Sequence, residues 1–219
     1  MKANYIILFI LGAAFISGHC KKDNKNQTDS LAFTDQEIQL IKSNSPDSMM
    51  RVLNLFVYDD SLILRKTSRN VTFEDTVTLY YLKSRMYKSV TNPANAGVGI
   101  AAPQVGINRR ICWVQRYDKG NLNYHPFEIY YNIRITGLSD TLKSRPDGCL
   151  SIPGISANSL RAIWVSIEYQ KPDGTLVHEK IIHQYTAHIF QHEIDHLDGI
   201  VFLDRLAKMK SNKFVIIDR

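Results

Sequence analysis

The stretch His192-Glu193-Ile194-Asp195-His196 constrains this chain more than any other feature. On a helix, residues four apart share a face, so the two imidazoles can meet one ion, and Glu193 can reach a water on that ion without coordinating it. Imidazole binds a borderline divalent ion while neutral, and a hydrolytic centre keeps one position open for water. The fold must therefore carry a helix over Tyr185 to about Leu197, with Ile194 and Leu197 holding it partly inside a core.

A third protein ligand is required, and spacing alone does not identify it. Downstream of Gly199 there is no histidine and no glutamate. The ligand comes from upstream or is an aspartate, which leaves His178, His183, His188, Asp195, Asp198 and Cys149 as candidates. Cys149 is the most metal-avid of these, since a thiolate is the stronger ligand, and Asp147-Gly148 before it and Leu150-Ser151 after it read as a turn that can aim a side chain. A structural or nucleophilic cysteine is the competing reading. Cys112, inside the apolar run Ile111 to Val114, reads as a buried small hydrophobe. With Cys20 these thiols lie too far apart for a disulfide framework or a CxxC pair.

A second segment, Gly97-Val98-Gly99-Ile100-Ala101-Ala102-Pro103-Gln104, alternates small residues, so its backbone at Gly97 and Gly99 can lie close against a ligand. It lacks the glycine pattern and the Lys-Ser/Thr ending of a nucleotide loop. The side-chain amide of Gln104 can donate to an oxygen on which negative charge develops.

Around these segments, Thr34 and Glu37 have the form of a capping box opening a short helix. Val52 to Val57 reads as an edge element followed by a turn at Asp59-Asp60-Ser61, and a longer helix follows Thr72 until Thr91-Asn92-Pro93 stops it. Strands are expected over Ile107–Gln115, Ile129–Ile135, Arg161–Glu168 and Thr175–His183. No strand-helix-strand rhythm accompanies them. The expected class is α+β, a mostly antiparallel sheet packed around a central metal-binding helix.

Residues 1–19 read as an export signal of lipoprotein type, with Lys2, an apolar run from Tyr5 to Ile16, and Ser17-Gly18-His19 before Cys20. Residues 20–48 form a polar tether and a short helix, and residues 49–219 the catalytic domain. The expected location is the cell envelope, with a lipid anchor on Cys20 tethering the protein to the membrane; the alternative is cytoplasmic. The formal charge of +6 includes Lys2, Lys21, Lys22 and Lys25, and no basic stripe interleaved with aromatics argues for nucleic acid.

The quoted segments, in order, resemble three motifs of the peptide deformylase family: GxGxAAxQ over Gly97–Gln104, EGCLS at Gly148-Cys149-Leu150-Ser151, and QHExDHLxG over Gln191–Gly199. The similarity runs from about Val52 to Leu206. The resemblance implies Cys149, His192 and His196 as ligands of one divalent ion, typically Fe2+, with Zn2+, Ni2+ or Co2+ as substitutes. It implies Glu193 as proton shuttle, Gln104 and the Leu150 N–H as oxyanion donors, and Gly99, with Gly97 beside it, against the substrate. The implied reaction removes the N-formyl group from formyl-methionyl peptides and releases formate; a monomer is expected.

The chain departs from the family at several positions. Asp147 replaces a Glu, with Arg161 as a candidate partner; Asn132-Ile133 replaces Asn-Pro; His188 replaces a common Arg; and Gln184-Tyr185-Thr186 replaces a Gly-Leu-Leu-like stretch. The alternative readings are an exported metallopeptidase or amidase acting on another short N-acyl or peptide substrate, and a non-catalytic metal-binding envelope protein.

Overall fold

The opening helix is set by its cap. Thr34 Oγ1 accepts from the Glu37 N–H at 3.2 Å while Glu37 Oε2 accepts from the Thr34 N–H at 2.8 Å, and α1 (Asp35–Ile41) follows, burying Ile41. The protein is described by a computed structural model over residues 31–94 and 96–210. The export-signal and tether assignments on residues 1–30, including Cys20, lie outside these described residues.

Helix α2 (Tyr58–Leu64) corrects the turn expected at Asp59-Asp60-Ser61, and no strand forms over Val52–Val57. Asp60 is buried, accepts both Arg51 guanidinium nitrogens at 2.7 Å and the Asn54 N–H at 2.8 Å, and so anchors the first helical turn inside the protein. Helix α3 (Thr76–Val90) is capped by Asp75, whose carboxylate accepts from the Thr78 N–H at 2.9 Å, so it starts after Asp75 and not after Thr72.

Strands β1 (Gly99–Ala101), β2 (Ile111–Gln115), β3 (Phe127–Leu138), β6 (Val165–Gln170) and β7 (Leu176–Ile181) form one antiparallel sheet in the order β1-β2-β3-β6-β7. Alternation along the strands divides the core. Ile111 and Trp113 join α1 and α3 on one face, while Cys112 and Val114 join the Ile189, Phe190, Ile194 and Leu197 side of α4 (Gln184–Leu197) on the other. Asn132 interrupts β3 with a left-handed φ of 52°, and its side chain binds the Val71 N–H at 2.8 Å and the Val71 C=O at 2.9 Å.

The expected strand over Arg161–Glu168 is two strands. β4 (Leu142–Cys149) and β5 (Ile152–Ala162) close a separate two-stranded ladder, so Arg161 belongs to this hairpin and Val165 to the main sheet. The hairpin packs on the side of α4 away from the sheet's core residues, and α5 (Phe202–Lys210) packs on the hairpin. Gly199 ends α4 at φ 74°, where a Cβ would meet the Arg65 carbonyl oxygen at 2.5 Å.

The membrane reading is corrected as far as a spanning helix goes: among the described residues no helix is long and apolar enough to cross a membrane. The longest, α3, has 15 residues, against the ~20 needed to span a bilayer core.

Candidate metal centre

Cys149 ends β4 at a register shift where the hairpin turns, and His192 and His196 lie one turn apart on α4. The hairpin therefore delivers a thiol to the face of the helix that carries the imidazoles. One ligand atom from each of the three residues lies within 4.8 Å of the others, and Cys149 Sγ is 3.1 Å from His196 Nε2.

Asp147, two residues before the cysteine, is buried and orients the first imidazole. Its Oδ1 accepts from His192 Nδ1 at 2.7 Å, which fixes the tautomer and leaves Nε2 for an ion. Its Oδ2 accepts from Ser159 Oγ at 2.8 Å and from Arg161 Nη2 and Nε at 2.9 and 3.1 Å. Burial opposes the charge of Asp147, but the nearby His188 ring, the hydrogen bond from His192 and the His192 and Arg161 charges outweigh it and hold the carboxyl below the usual range. For Cys149 burial again favours the neutral form, yet His196 and His192 bring the thiol down to about 5. A thiolate and two imidazoles, one with its remote nitrogen already committed to a carboxylate, form a donor set that fits a borderline divalent ion.

Glu193 faces the same cleft and lies against Gly99. Burial pushes its carboxyl up to about 7, and among the described residues its Oε2 is buried without a hydrogen-bond partner. Gln104 is buried in the 3-10 turn Ala102–Val105; its Oε1 accepts from the Ala101 N–H at 2.8 Å, which turns Nε2 toward Cys149 Sγ at 3.4 Å and Ser151 Oγ at 3.3 Å. Leu150 lines the cleft opposite Gly97, where an added Cβ would lie 3.1 Å from Leu150 Cδ1. The cleft has a volume of about 740 Å³, and Tyr185, His188 and Ile189 continue its wall along α4.

The other candidate ligands are placed elsewhere. His178 is exposed on β7 beside Glu168, and His183 caps α4 through Thr186. Asp198 pairs with Arg110 at 2.7 Å, and Asp195 pairs with Arg161 at 2.8 Å and with Arg205 at 2.5 Å. His188 Nε2 stands 3.4 Å from Asp147 Oδ2. Asp147 and Arg161 are in contact at 2.9 Å, and nothing local in the sequence marks Asp147 as the partner of His192 as well. Ser159 and Phe202, whose ring stacks on His192 at 6.3 Å between centroids, carry no local signal at all.

The polypeptide deformylase family matches residues 52–212. A peptide deformylase of Desulforudis audaxviator is 32% identical over 164 residues, covering 75% of this chain and 99% of that protein. One of Leptospira biflexa is 34% identical over 158 residues, covering 68% and 84%. Among solved structures, a class I type b peptide deformylase from Acinetobacter baumannii with bound Met-Ala-Ser superposes with a TM-score of 0.62 at 30% identity, over 73% of this chain and 99% of that one. The Thermotoga maritima peptide deformylase gives 0.60 at 30% identity, over 72% and 97%.

Proposed function

This chain belongs to the polypeptide deformylase family, and from that premise we propose that it removes the formyl group from formyl-methionyl peptides, releasing formate and a free α-amine. The observation that carries the reading is Glu193, a buried carboxylate with one oxygen unpartnered among the described residues, beside a Cys/His/His cluster and inside a cleft.

Cys149, His192 and His196 would hold one divalent ion. By resemblance to the family we take it to be ferrous iron, with zinc, nickel or cobalt as substitutes suited to the same donors. When bound, the ion supplies Lewis acidity, making water a better nucleophile and polarising the formyl carbonyl. Glu193 takes the proton of the attacking water, and the burial that raises its carboxyl above the ordinary range makes it a better proton acceptor. Gln104 Nε2 and the Leu150 N–H donate to the oxygen on which charge accumulates. As the carbon–nitrogen bond breaks, the same Glu193 returns its proton to the departing amine, so formate leaves and the peptide gains a free terminus. Gly97 and Gly99 line the cleft, and with no side chains of their own they are the positions we assign to backbone contact with the peptide.

The test is formate release from formyl-Met-Ala-Ser by anaerobically purified protein of measured metal content. Turnover is expected with the formyl peptide and not with its acetyl counterpart. Metal-loaded, folded protein that releases no formate would overturn the reading.

A further inference from the structure

We propose that Arg205, on α5 and outside the ligand set, is a positioning residue of the metal centre that acts on His192 through Asp195, Arg161 and Asp147. Arg205 Nη2 donates to Asp195 Oδ1 at 2.5 Å and Nε to Oδ2 at 3.0 Å. Asp195 Oδ2 also accepts from Arg161 Nη1 at 2.8 Å. The remaining Arg161 donors, Nη2 and Nε, go to Asp147 Oδ2 at 2.9 and 3.1 Å, and Asp147 Oδ1 accepts from the His192 ring at 2.7 Å. Charges alternate in sign from Arg205 to Asp147, and Asp147, Arg161 and Asp195 are buried.

The arrangement gives Arg205 a definite task. Arg161 is shared between two carboxylates, and in a buried setting each carboxylate needs a cation of its own. Arg205 supplies the second cation to Asp195 and so leaves Arg161 available to Asp147. Without Arg205, Asp195 draws Arg161 toward itself and Asp147 loses part of the clamp that keeps its other oxygen on His192. The same helix carries Phe202, stacked on the His192 ring, so α5 bears on this ligand by packing as well as by charge.

The inference rests on the metal centre of the proposed function and not on its substrate, so it is tested by metal binding without peptide. Cobalt is titrated into metal-free protein and followed by the thiolate-to-cobalt absorption, for the parent and for Arg205→Ala, Arg205→Lys and Arg65→Ala. Arg65 pairs with Asp204 on the same helix but stands outside the charge path, so its removal loosens α5 alone. Residues that orient metal ligands typically contribute 10- to 100-fold in affinity, and Arg205, further removed, is expected at the lower end: about tenfold weaker cobalt binding in Arg205→Ala, partly restored in Arg205→Lys and unchanged in Arg65→Ala. Parent-like affinity in Arg205→Ala overturns the proposal, and so does an equal loss in Arg65→Ala. Should Arg205→Ala fail to fold, Arg205→Gln, which keeps a donor, is judged by the same comparison. Deformylase failure with cobalt affinities ordered as expected would leave the positioning role standing.

Discussion

Gly99 and Glu193 are packed so closely that a β-carbon on the glycine would sit 2.7 Å from the glutamate Cδ. The carboxylate has its place because the neighbouring strand has no side chain there. Gly99→Ala is therefore expected to displace Glu193 while leaving the Cys149, His192 and His196 ligands in place. A shift of about 1 Å in a reacting group costs roughly 100-fold. Steady-state deformylation and metal analysis on the same sample check this: kcat should fall by that order with metal content unchanged.

Glu193→Gln keeps the shape of the side chain but removes its capacity to accept a proton. Turnover of formyl-Met-Ala-Ser is expected to fall by about 10²–10⁴-fold, the usual contribution of a general acid–base group. Elemental analysis should show parent-like metal. Turnover as fast as the parent's would remove Glu193 from the reaction.

Gln104→Leu deletes a donor aimed at the cleft and leaves the Ala101 N–H without its acceptor. An oxyanion donor contributes about 2–4 kcal/mol to the barrier. The expected result is a drop of that size in kcat/KM with cobalt affinity little changed; an unaltered kcat/KM would assign Gln104 to structure only.

Asp147→Asn keeps one oxygen for either His192 or Arg161 and turns an N–H₂ group toward the other, leaving a buried guanidinium short of its counter-charge. Breaking a buried pair costs about 3–5 kcal/mol. Urea unfolding should show a loss of that order, and metal titration a reduced affinity. An unshifted midpoint would mean that Asp147 carries no charge worth pairing.

Glu37, partly buried, pairs at 2.6 Å with the fully buried Arg109 and so ties α1 to the loop before β2. Burial alone would raise the Glu37 carboxyl, but the hydrogen bonds from Arg109 and Thr34 outweigh it, and its pKa lies below the ordinary 4.5. Because the folded value is depressed, its stabilisation is complete above the unfolded pKa and is lost as pH falls through the folded one. Glu37→Gln should thus unfold at lower urea than the parent at pH 7, with the gap closing below about pH 4. A gap that persists unchanged at pH 3 would trace the effect to packing.

What was legible in the sequence was local or chemical. The Thr34–Glu37 box and the Tyr185–Leu197 periodicity reappear as α1 and α4 because each depends on residues within a few positions of one another. Ligand chemistry marks His192 and His196 and ranks Cys149 first among the candidates for the third position, the family resemblance implies the full set, and the fold brings the three together. The β4–β5 hairpin leaves no mark in the sequence because its residues are mostly exposed, so no alternation singles them out, and because Pro146, Gly148 and Gly154 resemble loop residues without their partners across the ladder. Asp60 reads as a turn residue for the same reason: its bonds to Arg51 and to the Asn54 N–H, nine and six positions upstream, make it a buried anchor. The tie between Asp147 and His192 spans 45 positions, beyond any pattern that spacing can encode.

The two sources of the ligand set give the ion a mechanical part. Cys149 ends a ladder closed on itself, whereas His196, 47 positions away, belongs to a helix seated on the five-stranded sheet. An ion gripping both is a further stitch between two pieces that also meet through side-chain packing, the buried charges and the Gln191 amide, which bonds the Ala162 N–H and C=O at 2.9 Å each. Binding to the folded form alone adds stability that grows with the logarithm of free ion over its dissociation constant. The opening of the hairpin, and with it the exchange of its amide hydrogens, is then governed by the surrounding metal supply as much as by the polypeptide itself.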